Sequence, residues 1–277
     1  MPMSKARGYN LLAHYYDVFF ANHKVLWDQA RQALIGKMLD SATSVCDLCC
    51  GTANTAVELA GKGIKVFAVD LSATMCKLAR LKAQKAKAPV QVLRADMRDF
   101  ELPEKVDIVV CEYDAVNHVP NKSDLGHVAR AVNRALVPGG YFYFDVNTKT
   151  LFEQRWQIPY YAERRDVMMV THGGYDVQTD KGWLIADFFI RDGRRWRRSK
   201  DRMDSVWWSD DEIRKTLQEA GFENIQAVDI RDLPVEGLAS FPPGWIIFYV
   251  AQKASNKRGS SPNGSSPNGS SRKSKEK

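Results

Sequence analysis

The chain has 277 residues, a formal net charge of +7 at pH 7 and 44% hydrophobic residues. It contains no apolar run of about eighteen residues, the length that a transmembrane helix requires, and no apolar leader near its start. Its five cysteines do not resemble a disulfide framework, because three of them lie within residues 46–50. We therefore expect no membrane partner and a cytoplasmic location.

The net charge is concentrated at the end of the chain. From Lys253 onward, seven lysine and arginine residues are offset by one glutamate, so the remainder is nearly neutral. The same segment repeats Gly, Ser, Pro and Asn, which bury little apolar surface. We predict that residues 253–277 form a disordered basic tail. The nearly neutral remainder disfavours a nucleic-acid partner without excluding one.

The first predicted element is a helical cap over residues 1–40. Leu12, Tyr16 and Phe19 lie on one face of it, as in an amphipathic helix that packs on a sheet.

The most informative segment is a strand, a turn of small residues and a helix at residues 44–60. A second apolar strand, Val66 to Val69, ends in Asp70, nineteen positions after Gly51. In a right-handed βαβ unit this carboxylate arrives beside the first turn. Small residues let the backbone approach a ligand closely, and the acidic side chain can accept both hydroxyls of a ribose. The unit therefore predicts an adenosine-binding site.

The composition of this turn argues against a dinucleotide. It has one glycine, Gly51, where the dinucleotide fingerprint needs three, and Asp47 just before the turn would repel a pyrophosphate. Asp47 would instead suit a ligand with an ammonium and a sulfonium group. Cys46 and Cys49 have metal-ligand spacing, but Cys46 falls inside the strand and no second pair completes a site. We therefore predict no metal.

The segment from Asp47 to Ala53 resembles the first motif of the class I S-adenosylmethionine-dependent methyltransferases, roughly Asp-Leu-Gly-Cys-Gly-Thr-Gly. Cys49 and Ala53 stand where that motif has its first and third glycines. Further family motifs follow in order. Residues 90–97 resemble the third strand and residues 105–111 the fourth strand. Residues 136–145 resemble the Leu-x-Pro-Gly-Gly turn with the fifth strand, and residues 220–222 resemble the end of the helix before the sixth strand.

The resemblance implies S-adenosylmethionine as the cofactor and suggests which residues bind it. Asp70 would accept the ribose hydroxyls, Asp96 would accept the adenine amino group, and Met97 would pack on the ring. The N-terminal segment resembles a family element whose aromatic residues lie near the methionine end of the cofactor; simple packing on the sheet is the equal alternative. The predicted cofactor-binding residues are Tyr9, Tyr15, Asp47, Cys49, Gly51, Ala53, Asp70, Leu71, Met75, Asp96, Met97 and Cys111.

Residues 149–208 interrupt this pattern with period-two alternation and an Asp-Gly hairpin signal at 192–193, which predict an antiparallel β insertion. In related small-molecule methyltransferases such an insertion forms a lid or a dimer surface. Its arginines, interleaved with Trp196, could bind an anion, but four aspartates nearly balance them, so a solvated edge is the preferred interpretation. A capping box of Ser209 and Glu212 then starts the next helix.

The loop after the fourth strand lies at the edge where doubly wound sheets bind ligands. We therefore place the methyl acceptor near residues 112–118 and predict His118, Asp114 and Tyr16 as catalytic, with His118 or Asp114 relaying a proton. Alternatively, Asn117 and His118 only begin the next helix. The Asn/Asp-Pro-Pro-Tyr motif of nucleic-acid amino methyltransferases does not occur here.

The predicted fold is an α/β three-layer Rossmann-like sandwich, with a seven-stranded, mostly parallel sheet and an antiparallel last strand. The core spans 41–148 and 209–252, and the small β insertion spans 149–208. The predicted function is methyl transfer to an N or O atom of a small molecule. The alternatives are an RNA or protein methyltransferase tethered by its tail, and a non-catalytic cofactor-binding protein.

Overall fold

A computed structural model describes residues 11–238 and 241–255. Tyr9 and the predicted tail beyond residue 255 therefore lie outside the described residues. Strands and helices alternate through the first part of the chain, in the order α1 Leu12–Ser41, β1 Ser44–Leu48, α2 Asn54–Gly61, β2 Lys65–Asp70, α3 Ala73–Ala86, β3 Val90–Arg94, β4 Val106–Cys111, α4 Asp124–Ala135, β5 Leu136–Asn147 and α5 Lys149–Gln154.

Four strands of the insertion come next, and a helix and two strands complete the core. These elements are β6 Tyr160–Arg164, β7 Val167–Asp176, β8 Lys181–Asp192, β9 Arg195–Val206, α6 Asp210–Glu219, β10 Phe222–Asp229 and β11 Ile246–Lys253. None of the helices in the described ranges combines the length and hydropathy of a membrane span.

The core sheet has seven strands in the order β10-β11-β5-β4-β1-β2-β3. Strands β1 to β5 run parallel to one another, whereas β11 is antiparallel to both β5 and β10. The central strands β1 and β4 are buried along nearly their whole length, as expected of parallel strands that are covered by helices on both faces. The predicted fold class and its antiparallel last strand are confirmed.

The helix α6 begins with the capping box that the sequence predicts. The Ser209 hydroxyl accepts from the Glu212 backbone N–H, and the Glu212 carboxylate accepts from the Ser209 N–H at 2.8 Å. These two bonds satisfy backbone donors that have no partner within the helix. The start of the helix is therefore fixed by local sequence.

The insertion forms its own antiparallel sheet in the order β6-β7-β8-β9. Asp192 pairs with Arg195 across a two-residue turn, in which Gly193 has φ +61°. The Gly-Gly pair at 173–174 lies within β7, and both glycines lie against Trp183 on β8. The Pro-Gly-Gly segment at 138–140 lies near the start of β5, where the register with β4 shifts and Gly139 has φ +80°.

The first half of α1 connects the insertion to the core. Leu12 and Phe19 pack in one buried cluster with Met169 and Phe188 of the insertion. The Asp201 carboxylate, on β9, accepts from the backbone N–H groups of Leu11 and Leu12. The insertion sheet is thereby held against α1, whose second half packs in a buried cluster of the core.

Candidate active site

A cavity of about 380 Å³ lies at the carboxyl ends of the central strands, which is the position of ligand sites in doubly wound sheets. Most of the predicted site residues line it. They are Tyr16, Asp47, Cys49, Gly51, Asp70, Leu71, Met75, Asp96, Met97 and His118. Four others in the described ranges do not line it, namely Tyr15, Ala53, Cys111 and Asp114.

The turn after β1 has the backbone shape that glycines usually provide. Cys49, Gly51 and Ala53 all have positive φ, at 60°, 53° and 64°. A residue with a Cβ atom pays a steric penalty of about 1–2 kcal/mol in this left-handed region. The turn therefore keeps the path of the glycine-rich motif at two positions where the chain has no glycine, and its backbone lies along the cavity.

Two carboxylates accept hydrogen bonds from backbone N–H groups in and around this turn. Asp70 accepts from the N–H groups of Gly51 and Ser72, at 2.9 and 2.7 Å. Asp47 accepts from the Ala56 N–H, in the first turn of α2, at 2.9 Å. Burial raises the pKa of Asp70 to about 6, and burial together with the negative charge of Glu112 raises the pKa of Asp47 to about 8. A cationic ligand group beside them would favour their charged forms.

Asp96 is held in place by Arg98. Its two oxygens accept from the Arg98 Nε and Nη2 groups at 3.0 and 2.7 Å, and Arg98 also reaches Asp124. Burial opposes the charge of Asp96, but the Arg98 hydrogen bonds keep its pKa below the ordinary value. Asp96 therefore presents a charged acceptor at the β3 end of the cavity.

The helix α1 is fastened to the turn by a polar cluster. Asp17 accepts from Thr52 at 2.6 Å, from Asn54 at 2.9 Å and from Lys82, on α3, at 2.6 Å. Burial disfavours the charged form of Asp17, but these three donors outweigh it and lower its pKa. Tyr16, the neighbour of Asp17, lines the cavity.

Tyr15 takes the opposite side of α1. Its ring stacks on Phe188 of the insertion, 6.0 Å between ring centroids, and the structure thus places it against the insertion sheet and not in the cavity. Ala53 and Cys111 are fully buried in the core. A hydrogen bond with Cys49 and burial raise the pKa of the Cys111 thiol well above its usual range. Both residues support the turn from the core side.

The loop after β4 is bound to the end of β5. Tyr113 and Asp114 are consecutive residues with positive φ, at 63° and 49°. Their N–H groups donate to the two oxygens of the buried Asp145, both at 2.8 Å, and Trp27 donates to the same carboxylate. Strained backbone of this kind persists only where its surroundings hold it. Asp145 thus fixes the loop, and Tyr113 lines the cavity.

His118 is engaged through both ring nitrogens. Its Nδ1 donates to the Asp204 carbonyl at 2.9 Å, and its Nε2 lies 3.3 Å from Asp114 Oδ2. Burial disfavours a charged imidazole, but the Asp114 carboxylate and the Asp204 carbonyl outweigh it and raise the pKa of His118. Asp114 therefore does not line the cavity itself but contacts His118, which does.

Two further residues of that loop, Asn117 and Glu112, bind neighbouring elements, and Glu112 also lines the cavity. The side chain of Asn117 is fully buried and bonds the backbone of Asn147, on β5, and the Val206 carbonyl, on β9. Glu112 accepts from Arg31 Nη1 at 2.7 Å on both oxygens and from Thr55 at 2.9 Å. The buried guanidinium of Arg31 thereby balances the charge of Glu112.

Sequence reasoning missed the residues that reach the cavity from distant segments. Met203 and Asp204, on β9, line it, and so do Val119 and Pro120. Arg98 lies two positions after Asp96, so a basic residue close to the predicted acceptor was a usable signal. The sequence contains no local signal for the position of β9, because this position depends on packing between segments more than eighty residues apart.

Comparison with known proteins identifies a methyltransferase domain and a methyltransferase fold. Residues 45–140 match the family model of a methyltransferase domain. An S-adenosylmethionine-dependent methyltransferase of Clostridium acetobutylicum is 25% identical, with a TM-score of 0.74, and the alignment covers 89% of this chain and 99% of that one. The sugar N-methyltransferase KedS8 of a Streptoalloteichus species is 21% identical, with a TM-score of 0.69, over 86% of this chain and 92% of its own.

A curated relative supports the same assignment. The putative methyltransferase YqeM of Bacillus subtilis is 26% identical over 182 residues, which are 65% of this chain and 73% of that protein. The region that the family model matches contains the turn after β1 and the acidic ends of β2 and β3. Residues 45–140 therefore form a methyltransferase domain, in a chain with the class I, Rossmann-like fold of S-adenosylmethionine-dependent methyltransferases.

Proposed function

We propose that the protein transfers a methyl group to a nitrogen or oxygen atom of a small molecule that binds between α1, the loop after β4 and strand β9. One observation carries the proposal: Met203 and Asp204 of the insertion line the same cavity as Asp70 and Asp96. The insertion then serves as the lid of the site. A lidded cavity of about 380 Å³ is in the lower range of small-molecule sites.

The residues present suit S-adenosylmethionine. Asp70 would accept the ribose hydroxyls and Asp96 the adenine amino group, with Leu71 and Met97 against the ring. Asp47 would lie near the ammonium group, whose positive charge favours the ionised carboxylate. The bound cofactor supplies a methyl group made electrophilic by its sulfonium. The protein contributes alignment and exclusion of water.

The loop after β4 would handle the acceptor. Tyr16 and Tyr113 border that end of the cavity, and burial raises the pKa of both hydroxyls, so they stay neutral and can donate hydrogen bonds. A proton that leaves the acceptor can pass to His118 once the imidazole is neutral, with Asp114 stabilising the charge that forms. The similar fold of KedS8, a sugar N-methyltransferase, supports an acceptor of small-molecule size.

Labelled methyl transfer tests the proposal. The protein is incubated with methyl-labelled S-adenosylmethionine and three separate fractions of a cell extract: small metabolites, RNA and protein. We expect label in the metabolites, and loss of that label in Asp70→Ala but not in Asp99→Ala, a matched change of an exposed aspartate. Label confined to RNA or protein contradicts the small-molecule acceptor.

A further inference from the structure

The end of the cavity next to the loop after β4 contains no strong binding site for an anion. Among the cavity-lining residues of the described ranges, Arg98 is the one arginine and none is lysine. Arg98 lies at the β3 end and donates to Asp96 and Asp124. The residues that border the other end are Tyr16, Tyr113, Val119, Pro120, Met203 and Asp204. His118 also lines the cavity, but its Nδ1 bonds the Asp204 carbonyl and its Nε2 faces Asp114. A phosphate or carboxylate placed there would lose its hydration without gaining an arginine or lysine partner.

The same end suits a positive charge. It has the aromatic rings of Tyr16 and Tyr113, 6.3 Å between centroids, and such rings attract cations. Neither hydroxyl has a hydrogen-bond partner among the described side chains and backbone groups, and both stay neutral because burial raises the pKa of each tyrosine. Asp204 adds a carboxylate at the mouth; its side chain is 70% exposed and pairs with Arg202, which is itself exposed to 55%.

The lack of a well-placed general base at this end of the cavity favours nitrogen over oxygen as the nucleophile. An alkyl hydroxyl attacks only when a base takes its proton in the transition state. His118 is poorly disposed for that work, because its Nδ1 donates to Asp204 and its Nε2 faces Asp114, and these partners favour the charged ring. An alkylamine needs no base in the attack itself, since its neutral form already carries a lone pair.

We propose that the acceptor is an alkylamine that carries no phosphate or carboxylate; this inference rests on the small-molecule function proposed above. The amine approaches as an ammonium ion, bound by the two tyrosine rings and drawn in by Asp204, and loses one proton to water. Its lone pair then attacks the methyl carbon: a C–N bond forms, the C–S bond breaks, and the electron pair of that bond stays on sulfur. The product ammonium then releases its proton to neutral His118, which passes it to water.

The first test identifies the product. Metabolites are divided by ion exchange into cationic, neutral and anionic fractions, and each is incubated with the protein and S-adenosylmethionine whose methyl carbon is ¹³C. Nuclear magnetic resonance distinguishes N-methyl from O-methyl groups, and mass spectrometry detects any acidic group in the product. We expect an N-methyl signal from the cationic fraction.

The outcomes of this test separate the two proposals. An O-methyl product, or a product with a phosphate or carboxylate, overturns the amine inference and leaves the small-molecule function intact. Label in RNA or protein, with none in any metabolite fraction, overturns the small-molecule function itself.

The second test changes the charge at the mouth of the cavity. Asp204→Asn and Asp204→Lys alter an exposed side chain and leave the backbone carbonyl that binds His118 in place. Asp40→Lys changes the net charge by the same amount as Asp204→Lys. Asp40 is an exposed residue in the last turn of α1, near the amino end of β1 and therefore at the end of the sheet opposite the cavity. For the amine identified in the first test, we expect kcat/KM to fall about tenfold in Asp204→Lys, less in Asp204→Asn and not in Asp40→Lys.

Two further readouts make the second test decisive. The dissociation constant of S-adenosylhomocysteine, measured by calorimetry, should stay within about twofold in all three variants, so that the effect is one on the acceptor. In the unsubstituted protein, kcat/KM should rise with pH up to the pKa of the amine, about 10 for an alkylamine. Equal kcat/KM in Asp204→Lys and Asp40→Lys, or a gain in Asp204→Lys, contradicts the inference.

Discussion

Lys82, on α3, donates to Asp17, on α1, with 2.6 Å between Nζ and Oδ2. The same lysine reaches Thr52 and Asn54 of the turn after β1. One polar cluster thus joins the helix that covers the cavity to the turn that borders it. The side chain of Asp17 is 46% exposed, so solvent weakens the ionic part of the contact.

Loss of this cluster should weaken cofactor binding more than folding. We expect Asp17→Ala to reduce affinity for S-adenosylmethionine by about 0.5–1 kcal/mol, or two- to fivefold, because the position of α1 over the turn is no longer fixed. Calorimetry measures the affinity, and a double-mutant cycle with Lys82→Met should show coupling between the two side chains. Additive effects of the two substitutions would mean that the contact does not position α1.

Asp70 should contribute more than Asp17 to the affinity for S-adenosylmethionine, because it contacts both the turn and, in our proposal, the ribose. Asp70→Ala should weaken S-adenosylmethionine binding by about 1.5–3 kcal/mol, the scale of hydrogen bonds to a charged group. Calorimetry on Asp70→Ala and on the control Asp99→Ala measures this. A folded Asp70→Ala protein with unchanged affinity would show that the ribose lies elsewhere.

Asp145 should affect turnover through the loop after β4. In Asp145→Asn one carboxylate oxygen becomes an NH₂ group, which cannot accept from the N–H of Tyr113 or Asp114. We expect a loss of about 1–3 kcal/mol in the free energy of unfolding, an unchanged cofactor dissociation constant and a kcat reduced at least tenfold. Urea denaturation, calorimetry and labelled-methyl turnover measure the three quantities. Turnover that follows only the loss of folded protein would reduce Asp145 to a structural role.

The buried carboxylates predict how stability depends on pH. The pKa of Asp47 in the folded chain, about 8, exceeds the value of about 3.9 in an unfolded chain. Between these values the folded chain binds more protons, so the contribution of Asp47 to the free energy of unfolding falls as pH rises. In Asp47→Asn this fall disappears, and the difference from the unsubstituted protein should grow between pH 5 and 8. Parallel profiles of unfolding free energy against pH for the two proteins would contradict this pKa-based prediction. The control is Asp40→Asn, at an exposed residue.

The two non-glycine residues with positive φ in the turn after β1 should be sites of stored strain. Cys49→Gly and Ala53→Gly should each raise the free energy of unfolding by about 0.5–1 kcal/mol, since the relief of strain exceeds the entropy that glycine adds to the unfolded chain. Thermal or urea denaturation measures it. Ala21→Gly, at an exposed position inside α1, should instead lower it by about 1 kcal/mol. A loss of stability in Cys49→Gly would show that the thiol contacts with Met97 and Cys111 outweigh the strain.

Features with a local signal were predictable from the sequence. The capping box at Ser209, the hairpin at Gly193 and the acidic residues at the carboxyl ends of β1, β2 and β3 each depend on a few adjacent residues. The pairing of Arg31 with Glu112 and the entry of Met203 into the cavity do not, because each joins segments far apart in the chain. Tyr15 shows the same limit: the sequence places it beside Tyr16, but only the packing of the insertion decides which of the two faces the cavity.

The position of β11 has a consequence for how the chain acquires its structure. This strand lies between β5 and β10 and pairs with both, although it is the last strand in the described part of the chain. During synthesis, β5 is complete about a hundred residues before its partner exists, and its free edge can pair with any other extended chain. Ribosome-bound chains that end near residue 240 should therefore associate readily, and release of β11 is the step that closes the sheet.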